Sequence, residues 1–512
     1  MADGSICPIN TVIDDECDMN GDFRRKDLCL FFIISIFFSS VYFLFASWDH
    51  HHGNSGIFDL GLFDQVFYAK MTSGLWHSSI LEQDIFRDHF SLVLWMLLPF
   101  YRMYPSADTL LFFQSMALGI SCGMAYRMAR HYFSQGESAV WAGLFGFFPS
   151  LLYISVWDFH PLVFVLPLLM MGLLFEMRLE IGKSLVFYAA TLLIREEMGV
   201  ILAVIGVIWF FQKAKRGYGI LLMAMGLAGF LWVTHWMGSG FGKAGLIHLE
   251  RYSHLGLGLS DIVQRLMTHP LESLQASFSA KKLLTFAMLF LPYGAVSALG
   301  WPLVLNAMPG LIINFLSQVP NQFDFRAHYM VTIIPFIYGG ALLGVAGVLK
   351  KGWNKIWVYR TLIVLMVLMQ GVYVLIQPIS SRRDFKGLVT SQSPAYMGSL
   401  PQVMSLVDPR QSLVVSNALG AQIARRSKIY LFGKRAYEKE QDNGLLIELA
   451  PSDPWPFQDQ KQYCRELALW CDSSLRHVEY RDKNLVLLLP GADSGIQTGK
   501  LRNEIEELLD SG

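Results

Sequence analysis

Apolar runs recur from residue 28 to residue 378 of this 512-residue chain, and they decide what it can fold into. A run of about 20 apolar residues satisfies its own backbone as a helix and spans the hydrocarbon of a bilayer. The pattern predicts about eleven spans. They lie near 28–47, 107–130, 138–156, 161–178, 184–195, 198–212, 218–236, 283–299, 301–318, 329–349 and 357–378, some of them short. A weaker apolar stretch at 90–104 reads as a juxtamembrane or re-entrant helix. Charged residues are 16% of the chain, against about 25% in soluble domains. The formal net charge is zero, so nothing draws the chain toward nucleic acid. The first run follows a polar head and has no small-residue cleavage site, so it reads as an uncleaved span.

Basic residues orient the spans. Arg24, Arg25 and Lys26 precede the first span, and Arg127 and Arg130 end the second. Arg178 and Lys183, then Lys213, Lys215 and Arg216, then Lys350, Lys351, Lys355 and Arg360 fill later turns. All fall on one side if the amino terminus is cytoplasmic. The expected organisation is a cytoplasmic segment 1–27, a membrane domain 28–378 with a large first exterior loop 48–106, and an exterior domain 379–512. The fold class expected is an all-α polytopic membrane domain with a small C-terminal exterior α/β domain. In that tail, 411–416, 428–432 and 484–489 read as strands, and 418–426 and 501–509 as helices. An oxidising exterior would permit a disulfide between Cys464 and Cys471. Seven residues of unbroken helix span about 10.5 Å, so that bond requires a break between them.

With this orientation, ionisable groups from five loops come out on the outer face. After the first span come Asp49, His50, His51, His52, Asp59 and Asp64. Asp84, Arg87, Asp88 and His89 precede the second span. Trp157-Asp-Phe-His160, Arg195-Glu196-Glu197 and Asp324-Phe-Arg326-Ala-His328-Tyr329 complete the set. Carboxylates at a membrane surface are costly unless hydrated, paired or employed. Glu196 and Glu197 have no loop to hold them in water, so a polar cavity with Arg195 is the better fit. Asp158 and His160 would make an acid/base or metal pair, or an interfacial anchor beside Trp157. Three successive histidines cannot all face one ion from a regular helix or strand.

Phe58-Asp-Leu-Gly-Leu-Phe-Asp-Gln65 is the most distinctive stretch. If 59–70 is helical, Asp59 stands at the helix start, where a carboxylate can cap backbone N–H groups. Asp64 lies about 140° around that helix, so the two carboxylates are no simple pair.

These eight residues resemble the signature of the predicted membrane protein family DUF2079. Asp88-His-Phe-Ser91, Leu98-Pro-Phe-Tyr101, Tyr104-Pro-Ser106, Gln114, Asp158-Phe-His-Pro161, Glu197 and His328-Tyr329 follow in the same order. The tail's Ser412-Leu-Val-Val-Ser-Asn417, Ala424-Arg-Arg426 and Ile429-Tyr430 also resemble the family. DUF2079 in turn resembles the GT-C superfamily of integral-membrane glycosyltransferases, which includes dolichyl-phosphate mannosyltransferases and lipid A aminoarabinose transferases. Those enzymes carry an acidic motif in the first exterior loop and use polyprenyl-phosphate or polyprenyl-diphosphate sugars. Here Asp59, Phe63, Tyr68 and Gly74 can be laid on that motif, but Leu60 stands where an Asp-Glu pair would need its second acid.

The resemblance implies sugar transfer, with inversion, from a polyprenyl-phosphate donor to a lipid, glycan or protein acceptor at the outer face of the cytoplasmic membrane. Asp59 is the expected base. Arg87, Arg195, Arg326 and His328 are candidates for the lipid phosphate, while Asp88, His89, Asp158, His160 and Glu197 could orient sugar or hold a divalent metal ion. Asp64, Glu196 and Tyr329 are supporting candidates. Two other classes fit such composition: a secondary transporter, whose sites tend to lie near the midplane within repeated halves, and a non-catalytic envelope assembly protein.

Overall fold

The computed structural model describes residues 21–241, 247–294, 296–376, 393–394, 396–434, 443–451, 454–471, 476–482, 484–491 and 496–511. Among the described residues, four helices are long and apolar enough to cross a membrane: Arg25–His51, Ala107–Ala129, Lys213–Met237 and Lys355–Val372. A fifth span would join Gln135–Gly146 to Pro149–Val156 across a 56° bend. The expected count of about eleven is therefore not confirmed. The other apolar runs form shorter helices, such as Pro161–Met177, Glu197–Phe210, Trp301–Leu316 and Ile334–Lys350, or break into pieces. The run at 283–299 becomes Ala280–Phe290, a 3-10 turn at Leu291–Tyr293 and Val296–Leu299. Short helices suffice where protein, rather than lipid, surrounds the backbone.

Small residues let the longest helices touch. Gly119 and Gly123 on Ala107–Ala129 face Ser35 and Ser39 on the first helix. A Cβ on Gly119 would lie 2.1 Å from the Ser39 hydroxyl and 2.5 Å from the Ser35 carbonyl oxygen. This is small-residue packing, by which helices gain close van der Waals contact without hydrophobic help from lipid. Deeper in, the Glu176 carboxylate joins four elements, accepting hydrogen bonds from Trp209, Lys215, Tyr188 and Asn306.

The first loop carries a two-stranded ribbon, β1 (His77–Ser78) against β2 (Gln83–Asp84). The tail holds a mixed five-stranded sheet of β3 (Leu413–Val415), β4 (Ile429–Leu431), β5 (Gly444–Glu448), β6 (Arg476–Asp482) and β7 (Leu485–Pro490), in the order β4-β3-β5-β7-β6. β3 pairs in parallel with β4 and β5, and β7 antiparallel with β5 and β6. Three of these strands fall on the expected positions; β5 and β6 do not. Alternation puts Leu413, Val415, Leu446 and Leu487 on one face, in a core shared with Ile57, Phe63 and Phe67 of the first loop. Val414, Leu445, Ile447 and Leu488 face the helices Gln460–Cys471 and Ile496–Ser511. The tail sheet is thus half of a common core with the first loop. Cys464 and Cys471 lie on one unbroken helix as free thiols, so the disulfide does not form.

Gly119→Val should lower stability in detergent by about 1–3 kcal/mol through overpacking. Gly143→Ala, where nothing lies within 4 Å of the added carbon, should leave the melting temperature unchanged or slightly higher. Melting of the two purified variants beside the native protein checks both.

Candidate active site

The turn that carries Asp59 is a π-helical turn, Ile57–Gly61, leading into the helix Leu62–Ser73. The cap positions are Gly56 and Gly61, so the expected cap role of Asp59 is not what starts this helix. The leading N–H groups find partners elsewhere. Gly56 N–H donates to Asp158 Oδ2 (2.9 Å), and Ile57 N–H donates to Asn417 Oδ1 (3.1 Å) from the tail. Asp59 follows these pins and is half-buried, and Phe58 beside it is exposed.

Asp64 faces the other way and is buried. Its carboxylate accepts from the Tyr101 hydroxyl, with Arg425 of the tail 3.9 Å away. Burial pushes this carboxyl up to about 6, against the opposing pull of Tyr101 and Arg425.

A second polar cluster forms where residues 89–92 zip against 193–196. Leu92 N–H donates to the Leu193 carbonyl (2.9 Å), Ser91 Oγ to the Ile194 carbonyl (3.0 Å) and Phe90 N–H to Glu196 Oε2 (3.1 Å). His89 lies at the centre. Its Nε2 is 2.8 Å from Arg195 Nη2, and its Nδ1 is 2.8 Å from Glu196 Oε1. A guanidinium only donates, so Nε2 accepts and the proton sits on Nδ1, facing Glu196. Burial, then Arg195, holds this imidazole well below its usual pKa, so it is neutral. His248 stacks on it at 4.3 Å with the opposite tautomer. Its Nδ1 accepts from Arg251 Nη2 (3.0 Å), and its Nε2 donates to the Asp88 carbonyl (3.2 Å). Burial, then Arg251, lowers His248 to about 4. Burial pushes Asp88 up to about 6. Arg195 also lies 3.9 Å from Glu197.

Asp88, His89 and His248 offer three metal-ligand atoms within 4.8 Å of one another. Both imidazole lone pairs, however, are already taken by guanidinium donors. A divalent ion would have to displace Arg195 and Arg251, so these residues as arranged do not fit a resident metal. The His50–His52 run gathers nothing either: His50 meets Ser55, His51 meets Asp108 and His52 meets the Trp48 carbonyl.

A third group joins the first two. His160 stacks on His328 at 3.5 Å, and His328 meets Tyr329 at 4.3 Å with the rings tilted by 37°. The Arg251 guanidinium lies over the Tyr329 ring at 5.9 Å. His160 N–H donates to Gln114 Oε1, whose amide holds the Trp157 carbonyl. The structure therefore brings Asp88, His89, Arg195, Glu196 and Glu197 together, with Asp158, His160, His328 and Tyr329 alongside. It does not bring in Asp64. Arg326 is paired with Asp324 of its own turn (2.8 Å), and Arg87 is half-buried beside Asp88 without lining the cavity described next.

That cavity, of about 280 Å³, is lined by Asp88, His89, Glu196, Glu197, His248 and Arg251, with Tyr252 and Gln322, and its remaining lining is apolar. An apolar groove of about 520 Å³, bordered by Phe278, Phe286 and Phe315, shares Leu266, Ile312 and Leu316 with it. His248, Arg251, Tyr252 and Gln322 are the residues that sequence reasoning missed. The signal for the first three was the charged run Ile-His-Leu-Glu-Arg-Tyr252, in a loop that the charge bias also assigns to the outer face; Gln322 had none.

Residues 50–467 match the family model described as predicted membrane protein (DUF2079). The chain belongs to this family. It is an integral membrane protein, and the family resemblance read from the motifs holds. No curated protein matches it in sequence. Among solved structures it is similar to ArnT from Cupriavidus metallidurans bound to undecaprenyl phosphate, at 14% identity and a TM-score of 0.52, covering 90% of this chain and 97% of that one. The apo form of the same protein aligns at 13% identity and a TM-score of 0.48, covering 91% and 98%. The first of these likenesses shows a shared fold.

Asp64 gives a pH prediction. Its folded pKa lies above its unfolded value, so the native state holds the proton longer and loses stability as pH rises from about 4 to about 6. Asp64→Asn removes that loss. Its stability relative to the native protein should climb by about 3 kcal/mol over that window and then level off. Denaturation in detergent between pH 4 and pH 7.5 measures it.

Proposed function

We propose that this protein transfers a sugar from a polyprenyl-phosphate-linked donor to an envelope acceptor at the outer face of the cytoplasmic membrane. The observation that carries the reading is a pair of neighbouring cavities that share Leu266, Ile312 and Leu316. An apolar groove beside a chamber lined by carboxylates, imidazoles and an arginine suits an amphiphile with a greasy tail and a charged head. A fold shared with a protein crystallised with undecaprenyl phosphate supports the same class of lipid.

In this reading the prenyl chain lies along Phe278, Phe286, Ile312 and Leu316, excluded from water. Arg251 and Arg195 stabilise the phosphate. Guanidiniums fork onto phosphate oxygens, and Arg195 is 1% exposed with its Nη1 lacking a hydrogen-bond partner. Asp59 is the base. It takes the proton of the acceptor hydroxyl as that oxygen bonds to the anomeric carbon, and the sugar–phosphate bond breaks with its electron pair leaving on the phosphate. Asp158 positions the Asp59 turn through Gly56, and Asp88, Glu196 and Glu197 set the charge around the sugar. The donor, the acceptor and the cytoplasmic amino terminus belong to the proposal, as does the exterior placement of residues 379–512.

Purified protein supplied with undecaprenyl-phosphate sugars tests it by consumption of the lipid-linked sugar. Asp59→Asn should lower kcat by about 100-fold or more with KM little changed. Ile312→Trp, which fills the groove, should raise KM by roughly tenfold with kcat retained. A native protein that binds no such lipid overturns the class, and a loss of kcat in Asp88→Asn but not in Asp59→Asn moves the base to Asp88. Alkaline phosphatase fused to the carboxyl terminus should be active in cells, and a fusion at the amino terminus inactive.

A further inference from the structure

Phe58 and Trp455 meet at the junction of the first loop and the tail, their ring centroids 5.4 Å apart and their planes at 70°. Both are open to solvent, Phe58 at 36% and Trp455 at 38% exposure. Lys434 holds its ammonium over both rings, 5.9 Å from Phe58 and 5.7 Å from Trp455. The other tail aromatics behave differently: Phe432 and Tyr463 are buried in the sheet's own core. Trp455 stands between Pro454 and Pro456, whose rings restrict the backbone on either side. Phe58 is fixed because the N–H groups before it are pinned by Asp158 and Asn417. The result is a rigid corner with two aromatic walls and a cation over it.

We infer that Phe58, Trp455 and Lys434 form a subsite for an anionic saccharide, the acceptor end of the proposed transfer. The C–H face of a sugar ring is apolar and packs on an aromatic wall, while a carboxylate or phosphate substituent meets the lysine. Position supports the assignment. Asp59 follows Phe58 directly, so its Cα lies one peptide, about 3.8 Å, from the residue forming one wall. On its other side the same turn is tied through Gly56 to Asp158, two residues before the His160–His328 stack that reaches toward the donor-side cluster. Asp59 is thus carried by the turn that supplies one wall of the platform and that Asp158 ties to the membrane helices. This inference rests on reading the two neighbouring cavities as the donor site.

The full chain in detergent, titrated by calorimetry with hyaluronan tetrasaccharide as the anionic probe and maltotetraose as the neutral one, tests it. Undecaprenyl-phosphate binding is measured in the same preparations. The anionic sugar should bind more tightly than the neutral one. Trp455→Ala should weaken its binding about tenfold, and Trp455→Phe should recover most of the loss. Lys434→Gln should abolish the preference for the anionic sugar, and all variants should bind undecaprenyl phosphate as the native protein does. Absence of saccharide binding, or equal binding by native and Trp455→Ala protein, overturns the subsite. If undecaprenyl phosphate fails to bind the native protein, the donor reading falls instead, so the two failures are separately visible.

Discussion

Two hydrogen bonds hold the turn on which everything else converges. The first N–H groups of a helical turn have no partner inside it, and glycine at the cap supplies none. Asp158 reaches in from the segment between the helices Pro149–Val156 and Pro161–Met177 to take the Gly56 N–H, and Asn417 reaches in from the tail to take that of Ile57. The turn is therefore defined by the membrane domain on one side and by the tail sheet on the other. Shared apolar packing of Ile57 and Phe63 with Leu413 and Leu446 reinforces the same joint.

The charge cluster behind that turn obeys a different constraint. Asp88, Glu196 and Glu197 are brought out of water together, which is tolerable only with compensating charge. Arg195 and Arg251 supply it, and they do so through two neutral imidazoles whose protons point in opposite senses. The guanidiniums thereby occupy the positions that a divalent cation would need. Arg195 holds His89 through Nη2 alone, which leaves its buried Nη1 without a hydrogen-bond partner beside three carboxylates.

Much of this was legible in the sequence, for physical reasons. Positive charge concentrates on one side of a membrane, so the alternation of spans expected from the sequence puts Asp88, Asp158, Glu197 and His328 on one face. The apolar runs were legible too, but their count was not. Hydropathy registers apolar composition, and helices such as Pro161–Met177, enclosed by neighbours, carry it without the length of a span. His248 and Arg251 escaped notice because their loop has neither apolar period nor paired acids. β5 and β6 escaped as well: β5 is buried along its whole length and shows no alternation, while β6 is polar and largely outward-facing. The helix through Cys464 and Cys471 left the question of a break open until its continuity was seen.

The bond between Ile57 and Asn417 joins residues 360 positions apart. A ribosome delivers the turn bearing Asp59 early and its second pin only after most of the chain has been made. Until Asn417 emerges, the turn can be held from the Asp158 side alone. Among the first parts of the molecule to be synthesised, this turn is thus among the last to be completed.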